Sequence, residues 1–213
     1  MVLASVWISF VLASLIFIMA PGPDTILLLG QGLARGRRAG LGIAIGCALG
    51  CCIHTLLASI GVTAILASSD LLFDIFKYSG AAYLFYLGAK AMFASASEIP
   101  LTACTGEADV RLSGFIVRGF LSNALNPKVA LFFLSFLPQF VEPSKGSVSA
   151  QMLLLGLVFA VILLLVFGVV GYFAGHISKW MTRKPGVQLW LDRLAGITCF
   201  ALAIRLIFVS KNV

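Results

Sequence analysis

The sequence predicts an all-α membrane protein: six transmembrane helices forming two inverted three-helix repeats, with helices 1 and 4 broken at proline. Three observations carry this expectation. Of the 213 residues, 61% are hydrophobic and only 11% are charged, with mean hydropathy +1.08, whereas a soluble domain carries roughly 25% charged residues. Apolar runs of the length that spans a hydrocarbon core, about 20 residues, recur along the whole chain. One polar linker near the midpoint divides those runs three and three. A water-soluble fold would have too few polar groups to cover its surface, and a bilayer removes that difficulty.

The apolar segments cover 2–34, 39–67, 71–94, 112–141, 148–175 and 189–209. The first and fourth are too long for one straight span, since 30 or more residues at 1.5 Å each reach about 45–50 Å. Each carries proline near its middle: Pro21-Gly22-Pro23 in one and Asn126-Pro127 in the other. Proline removes a backbone donor and clashes with the preceding turn, so two half-helices are expected in each. The first 20 residues hold no Lys or Arg. A cleaved signal peptide normally has a basic start, so this segment reads as a retained helix.

Charge placement gives the orientation. Arg35, Arg37 and Arg38 follow segment 1, Lys90, Arg111 and Arg118 flank the central linker, and Lys179, Arg183, Lys184 and Arg193 lie between segments 5 and 6. The opposite side has Lys77, Lys145, Arg205 and Lys211. Ten bases against four place loops 1–2, 3–4 and 5–6 in the cytoplasm and both termini outside. The net charge of +7 is thus a topogenic signal. No basic stripe interleaved with aromatics appears, which argues against nucleic acid as a partner. The five cysteines, Cys47, Cys51, Cys52, Cys104 and Cys199, are an odd number set mostly in apolar segments, a poor disulfide framework.

The linker at 95–111 prompts a search for duplication. Pro23-Asp24 aligns with Pro127-Lys128, and Lys77-x-x-Gly80 aligns with Arg193-x-x-Gly196. The organisation read from this is a first repeat at 1–94, the cytoplasmic linker at 95–111, and a second repeat at 112–213. Three spans per repeat is an odd number, so the second must be inverted, as in many secondary transporters.

Asp24 and Lys128 are isolated ionisable groups in apolar spans, where an unpaired charge costs several kcal/mol or more. They have opposite signs and repeat-equivalent positions. Two readings stand side by side: a substrate and proton site where two broken helices cross, or a static ion pair locking the halves. A helix restarting after Pro23 or Pro127 presents free N–H groups and a positive dipole end, and unwound carbonyls accept from an ammonium. A zwitterionic amino acid needs both. Asn123 and Asn126 share a helix face and offer amides beside Lys128; equally, an asparagine before proline can simply cap a half-helix.

Helix 2 carries Gly42, Gly46 and Gly50, a small-residue strip that admits another helix backbone, in the same chain or in a homodimer. Gly80, Tyr83 and Gly88 suit the same packing in helix 3. Cys47, Cys51 and His54 also share a face of helix 2 and offer soft ligands for a heavy metal, with no second cluster to complete four ligands. No catalytic set and no cofactor motif is visible, so the chain reads as a transporter and not an enzyme.

Met19-Ala20-Pro21-Gly22-Pro23-Asp24, the glycine-rich helix 2, Gly80-Ala81-Ala82-Tyr83-Leu84-Phe85-Tyr86-Leu87-Gly88 and Asn126-Pro127-Lys128 occur in that order. Together they resemble the LysE/RhtB family of amino-acid exporters over essentially the whole chain. The resemblance implies a six-helix exporter in the cell inner membrane, moving amino acids outward and driven by the proton motive force. It places the family's signature motifs at Pro21, Gly22, Pro23 and Asp24, and at Asn126, Pro127 and Lys128. The wider superfamily includes metal exporters, which makes a heavy-metal cation exporter using Cys47, Cys51 and His54 the alternative.

Overall fold

In the computed structural model the described residues are 4–20, 22–68, 70–93, 111–174, 176–177 and 185–208, and every regular element among them is helical. Both proline expectations are met. The first segment is two helices, α1 (Ala4–Met19) and α2 (Pro23–Arg35), bent by 58°. The fourth is α5 (Leu112–Ala124) and, at 50° to it, α6 (Pro127–Leu131), which runs on through a π turn at Phe132–Phe136 and a 3-10 turn at Leu137–Phe140. Pro23 and Pro127 each begin the second half-helix. There the missing N–H would have had no intrahelical partner, so proline starts a helix at no cost. Pro21 and the linker from 94 to 110 lie outside the described residues.

The other segments are α3 (Arg37–Ser68), α4 (Asp70–Met92), α7 (Val148–Tyr172) and α8 (Pro185–Ile207). Their ends fall within a few residues of the sequence reading. Helix α8 starts earliest relative to that reading, because Pro185 is itself a good first helical residue. By length and composition α3 and α7 can each cross a bilayer, and so can each bent pair taken as one span. That makes two clear spans, or four. Helices α4 and α8 carry more ionisable residues, among them Asp70, Asp74 and Lys77 in α4.

Helix α3 is the spine. Its glycine strip faces α5: a Cβ on Gly46 would run into the Ile116 carbonyl and lie 2.7 Å from the Phe120 amide nitrogen, and one on Gly119 would meet the Ile43 backbone. The strip is therefore filled inside the chain and does not serve a homodimer. On the opposite flank Gly40 meets Gly171, and Gly156 meets Thr55, which draws α7 against α3. Gly88 and Gly196 bring α4 and α8 together, with Phe200 and Met92 wedged beside them.

Between these helices lies an aromatic core of Phe10, Phe17, Phe132, Phe133, Phe136, Phe140 and Phe159, all buried. Phe17 stacks on Phe132 at 4.2 Å between ring centroids. The outward faces are apolar too: Leu49, Leu56, Leu57 and Ile60 on α3, and Leu154, Leu157, Leu165 and Val169 on α7, are exposed. A helix that is hydrophobic all round needs lipid on its outer face. The chain is a multi-pass membrane protein.

Candidate functional site

The two helix breaks meet in the interior, and each sets a charged residue in the first turn of the following half-helix. Asp24 follows Pro23 at the start of α2, where the dipole favours an anion, and is 5% exposed. Its carboxylate reaches across to α5. Oδ1 accepts from Ser122 Oγ at 2.5 Å and Oδ2 accepts from Asn123 Nδ2 at 2.8 Å.

Asn123 is itself fixed from α3. It is fully buried, its Oδ1 accepts from Cys51 Sγ at 3.5 Å, and its backbone carbonyl lies 2.9 Å from His54 Nε2. A carbonyl only accepts, so that ring nitrogen carries the proton. The S–H donor at Oδ1 decides which way the amide faces, and Nδ2 is left pointing at Asp24.

Lys128 follows Pro127 at the start of α6, where the dipole is unfavourable for a cation. Its side chain leaves that end and returns to α1. Nζ donates to Ala20 O at 2.7 Å and to Phe17 O at 3.2 Å, and sits 4.6 Å from the centre of the Phe17 ring. These carbonyls are open because the helix breaks. In a continuous helix Phe17 O would accept from position 21, but residue 21 is proline and has no N–H. A Cβ on Gly22 would lie 3.5 Å from Lys128 Cδ and 3.6 Å from Nζ, so the lysine arm lies over Gly22. Gly22 is extended, with φ −164.

Asp24 and Lys128 do not form an ion pair. Each finds its hydrogen-bond partners on the other half of the chain: α2's carboxylate at the end of α5, α6's ammonium at the end of α1. Asn126 caps α6, its Oδ1 accepting from Lys128 N at 3.0 Å, so the two asparagines act separately and neither amide engages the lysine side chain.

The α3 residues that suggested a metal are committed to α5. Cys47 Sγ donates to Gly119 O at 3.4 Å, Cys51 holds the Asn123 amide, and His54 holds the Asn123 carbonyl. Among the described residues no group of three His, Cys, Asp or Glu is placed to hold a metal ion. Sequence reasoning missed Ser122 and the Phe17 and Ala20 carbonyls. Ser122 was findable as a second polar residue beside Asn123 in an apolar helix. The Phe17 carbonyl follows from counting four residues back from Pro21.

A family model described as "LysE type translocator" matches residues 15–210. The chain is 32% identical over 192 residues to an uncharacterized membrane protein of Vibrio cholerae, which covers 90% of this chain and 91% of that one. It is 29% identical over 205 residues to the uncharacterized membrane protein YrhP of Bacillus subtilis, covering 93% and 96%. A leucine efflux protein of Klebsiella pneumoniae is 28% identical over 204 residues, covering 94% and 93%. No solved structure matches.

Proposed function

The chain belongs to the LysE type translocator family, and from that premise we propose that it exports amino acids from the cytoplasm at the crossing of its two broken helices. The observation that carries the reading is the reciprocal hold of Asp24 and Lys128 on opposite halves. A buried carboxylate, a half-buried ammonium, freed carbonyls and half-helix N-termini are the groups that a zwitterion requires, and they lie together at two helix breaks. Half-helix ends of this kind form the ion and substrate sites of discontinuous-helix transporters.

In this reading α1–α4 and α5–α8 are inverted repeats of three spans each, residues 1–94 and 112–213. Both termini face outward and the 95–111 linker faces the cytoplasm. Asp24 is the proton acceptor: protonation weakens its bonds to Ser122 and Asn123, because hydrogen bonds to a charged acceptor are about twice as strong as neutral ones. That loosens α2 from α5 and couples export to the proton motive force. The relatives named leucine efflux protein favour an amino acid with an apolar side chain, and the phenylalanine core starting at Phe17 offers it apolar surroundings.

The test is efflux from proteoliposomes loaded with leucine, threonine or lysine, with and without an imposed pH gradient. Faster loss of leucine than of lysine, accelerated by the gradient, is expected. Rates for all three equal to those of protein-free vesicles would overturn the proposal.

A further inference from the structure

The open end of α1 is built as a site for a primary ammonium ion. Phe17 O and Ala20 O converge on one point from a helix C-terminus, the negative end of the dipole, and the Phe17 ring closes one side of that point. Two carbonyls and an aromatic face are the elements that recognise an R–NH3+ group. In this structure the occupant is the chain's own Lys128 Nζ, at 2.7 and 3.2 Å from the oxygens and 4.6 Å from the ring centre.

Three features make the lysine a displaceable occupant. It is only partly buried. It reaches the cage through a flexible four-carbon stem from a helix start whose dipole disfavours it. Its ammonium also passes over Gly22, where no side chain hems it in. We infer that the Phe17–Ala20 cage is the subsite for the substrate's α-ammonium group, held by Lys128 when empty, and that the arriving amine releases Lys128 to meet the substrate carboxylate.

The exchange is charge-neutral inside the site. One ammonium leaves the two carbonyls as another arrives, and the freed ammonium is paired at once with the carboxylate that came with its replacement. The inference rests on the amino-acid reading above and names where in that site the amine binds. It also makes a selectivity rule: a carboxylic acid without a protonated amine cannot displace the lysine.

The test is chemical rescue. Lys128→Ala removes three carbons and the ammonium, which n-propylammonium supplies intact. Thermal unfolding of the purified variant is followed with n-propylammonium, tetramethylammonium or propionate. The first should raise the melting temperature by roughly 3–10 °C at ten to a hundred times its Kd. Tetramethylammonium, with no N–H donor, and propionate should not. Lys128→Met fills the cage and should not respond to any of them.

Should Lys128→Ala not fold, Phe17→Leu in the otherwise intact protein decides the matter. It should bind the exported amino acid about three- to ten-fold more weakly, the contribution of one ring face. Equal stabilisation of Lys128→Ala by all three additives, no stabilisation by any, or unchanged amino-acid binding in Phe17→Leu would overturn the inference. Efflux of the wild-type chain is measured alongside. Efflux without rescue removes the ammonium subsite and leaves export standing, whereas no efflux of any amino acid removes the export reading itself.

Discussion

Two substitutions at Asp24 separate its charge from its hydrogen bonding. Asp24→Asn keeps the outline of the side chain. Its oxygen accepts from Asn123 Nδ2, and its amide donates to Ser122 Oγ, a hydroxyl that accepts as readily as it donates. Each bond falls from the charged range of about 1.5–3 kcal/mol to the neutral range of about 0.5–1.5 kcal/mol. Against that loss, a buried charge and its desolvation penalty of several kcal/mol disappear. The terms nearly cancel, so stability should stay within about 1 kcal/mol, or about 2–4 °C in melting temperature for a chain of this size.

Asp24→Leu leaves Asn123 Nδ2 with no acceptor at a fully buried position. An orphaned buried donor costs about 1–3 kcal/mol, which lowers the melting temperature by about 2–12 °C. Thermal unfolding of the three proteins in one detergent checks the order. Transport separates them again: Asp24→Asn, folded and permanently neutral, should exchange amino acid across vesicles but gain nothing from an imposed pH gradient. Asp24→Leu as stable as Asp24→Asn would refute the hydrogen-bond reasoning. An undiminished response of Asp24→Asn to the gradient would refute the proton role.

Other expectations follow from the seam and the loops. Gly46→Val should cost about 1–3 kcal/mol as overpacking, since even its Cβ overlaps the α5 backbone; thermal unfolding equal to wild type would show that α3 and α5 are not held at glycine distance. Cys47→Ala with Cys51→Ala and His54→Asn should leave nickel and cadmium tolerance unchanged, while amino-acid efflux falls because the Asn123 amide loses the S–H donor that aims it at Asp24. Loss of metal resistance with normal efflux would instead favour the metal exporter. In a cysteine-free background, an impermeant thiol reagent added outside should label Ser147→Cys and not Glu107→Cys, and the reverse pattern would invert the proposed orientation.

The helices and their breaks were legible because each rests on local chemistry. Apolar runs of spanning length locate the helices, and Pro23 and Pro127 mark where the broken ones restart. The glycines of α3 announced a close helix contact, but a spacing rule does not name the partner, and Gly119 on α5 had no periodic signature to offer. Asp24 and Lys128 stood out as charges in apolar spans. Their opposite signs suggested one pair, whereas the structure gives each a partner on the other half. Sequence shows charge and position. It does not show which side chain takes a carbonyl that a break has opened, and Lys128 takes two of those. Cys51 and His54 illustrate the same limit: their helical spacing suggested a metal face, yet both are turned toward Asn123, a residue 72 and 69 positions away.

The two breaks follow one rule and resolve it differently, and that difference bears on how the protein could move. A proline orphans the carbonyl four residues before it. Pro21 orphans Phe17 O, and Pro127 orphans Asn123 O. The Asn123 carbonyl is taken by His54 Nε2 at 2.9 Å, from a short buried side chain on the central helix, and also by the Asn126 amide at 2.9 Å. His54 lies beside the Phe133 ring and has little room to leave. The Phe17 carbonyl is taken by Lys128, a long side chain from a half-helix that continues into a π turn, a geometry common at functional sites in helices. One break is closed by a rigid donor and the other by a tethered ion. A ligand that competes for orphaned carbonyls meets far less resistance at the end of α1 than at the end of α5. In the proposed exporter, then, the break closed by His54 is the side that stays fixed and the break closed by Lys128 is the side that yields to an amine.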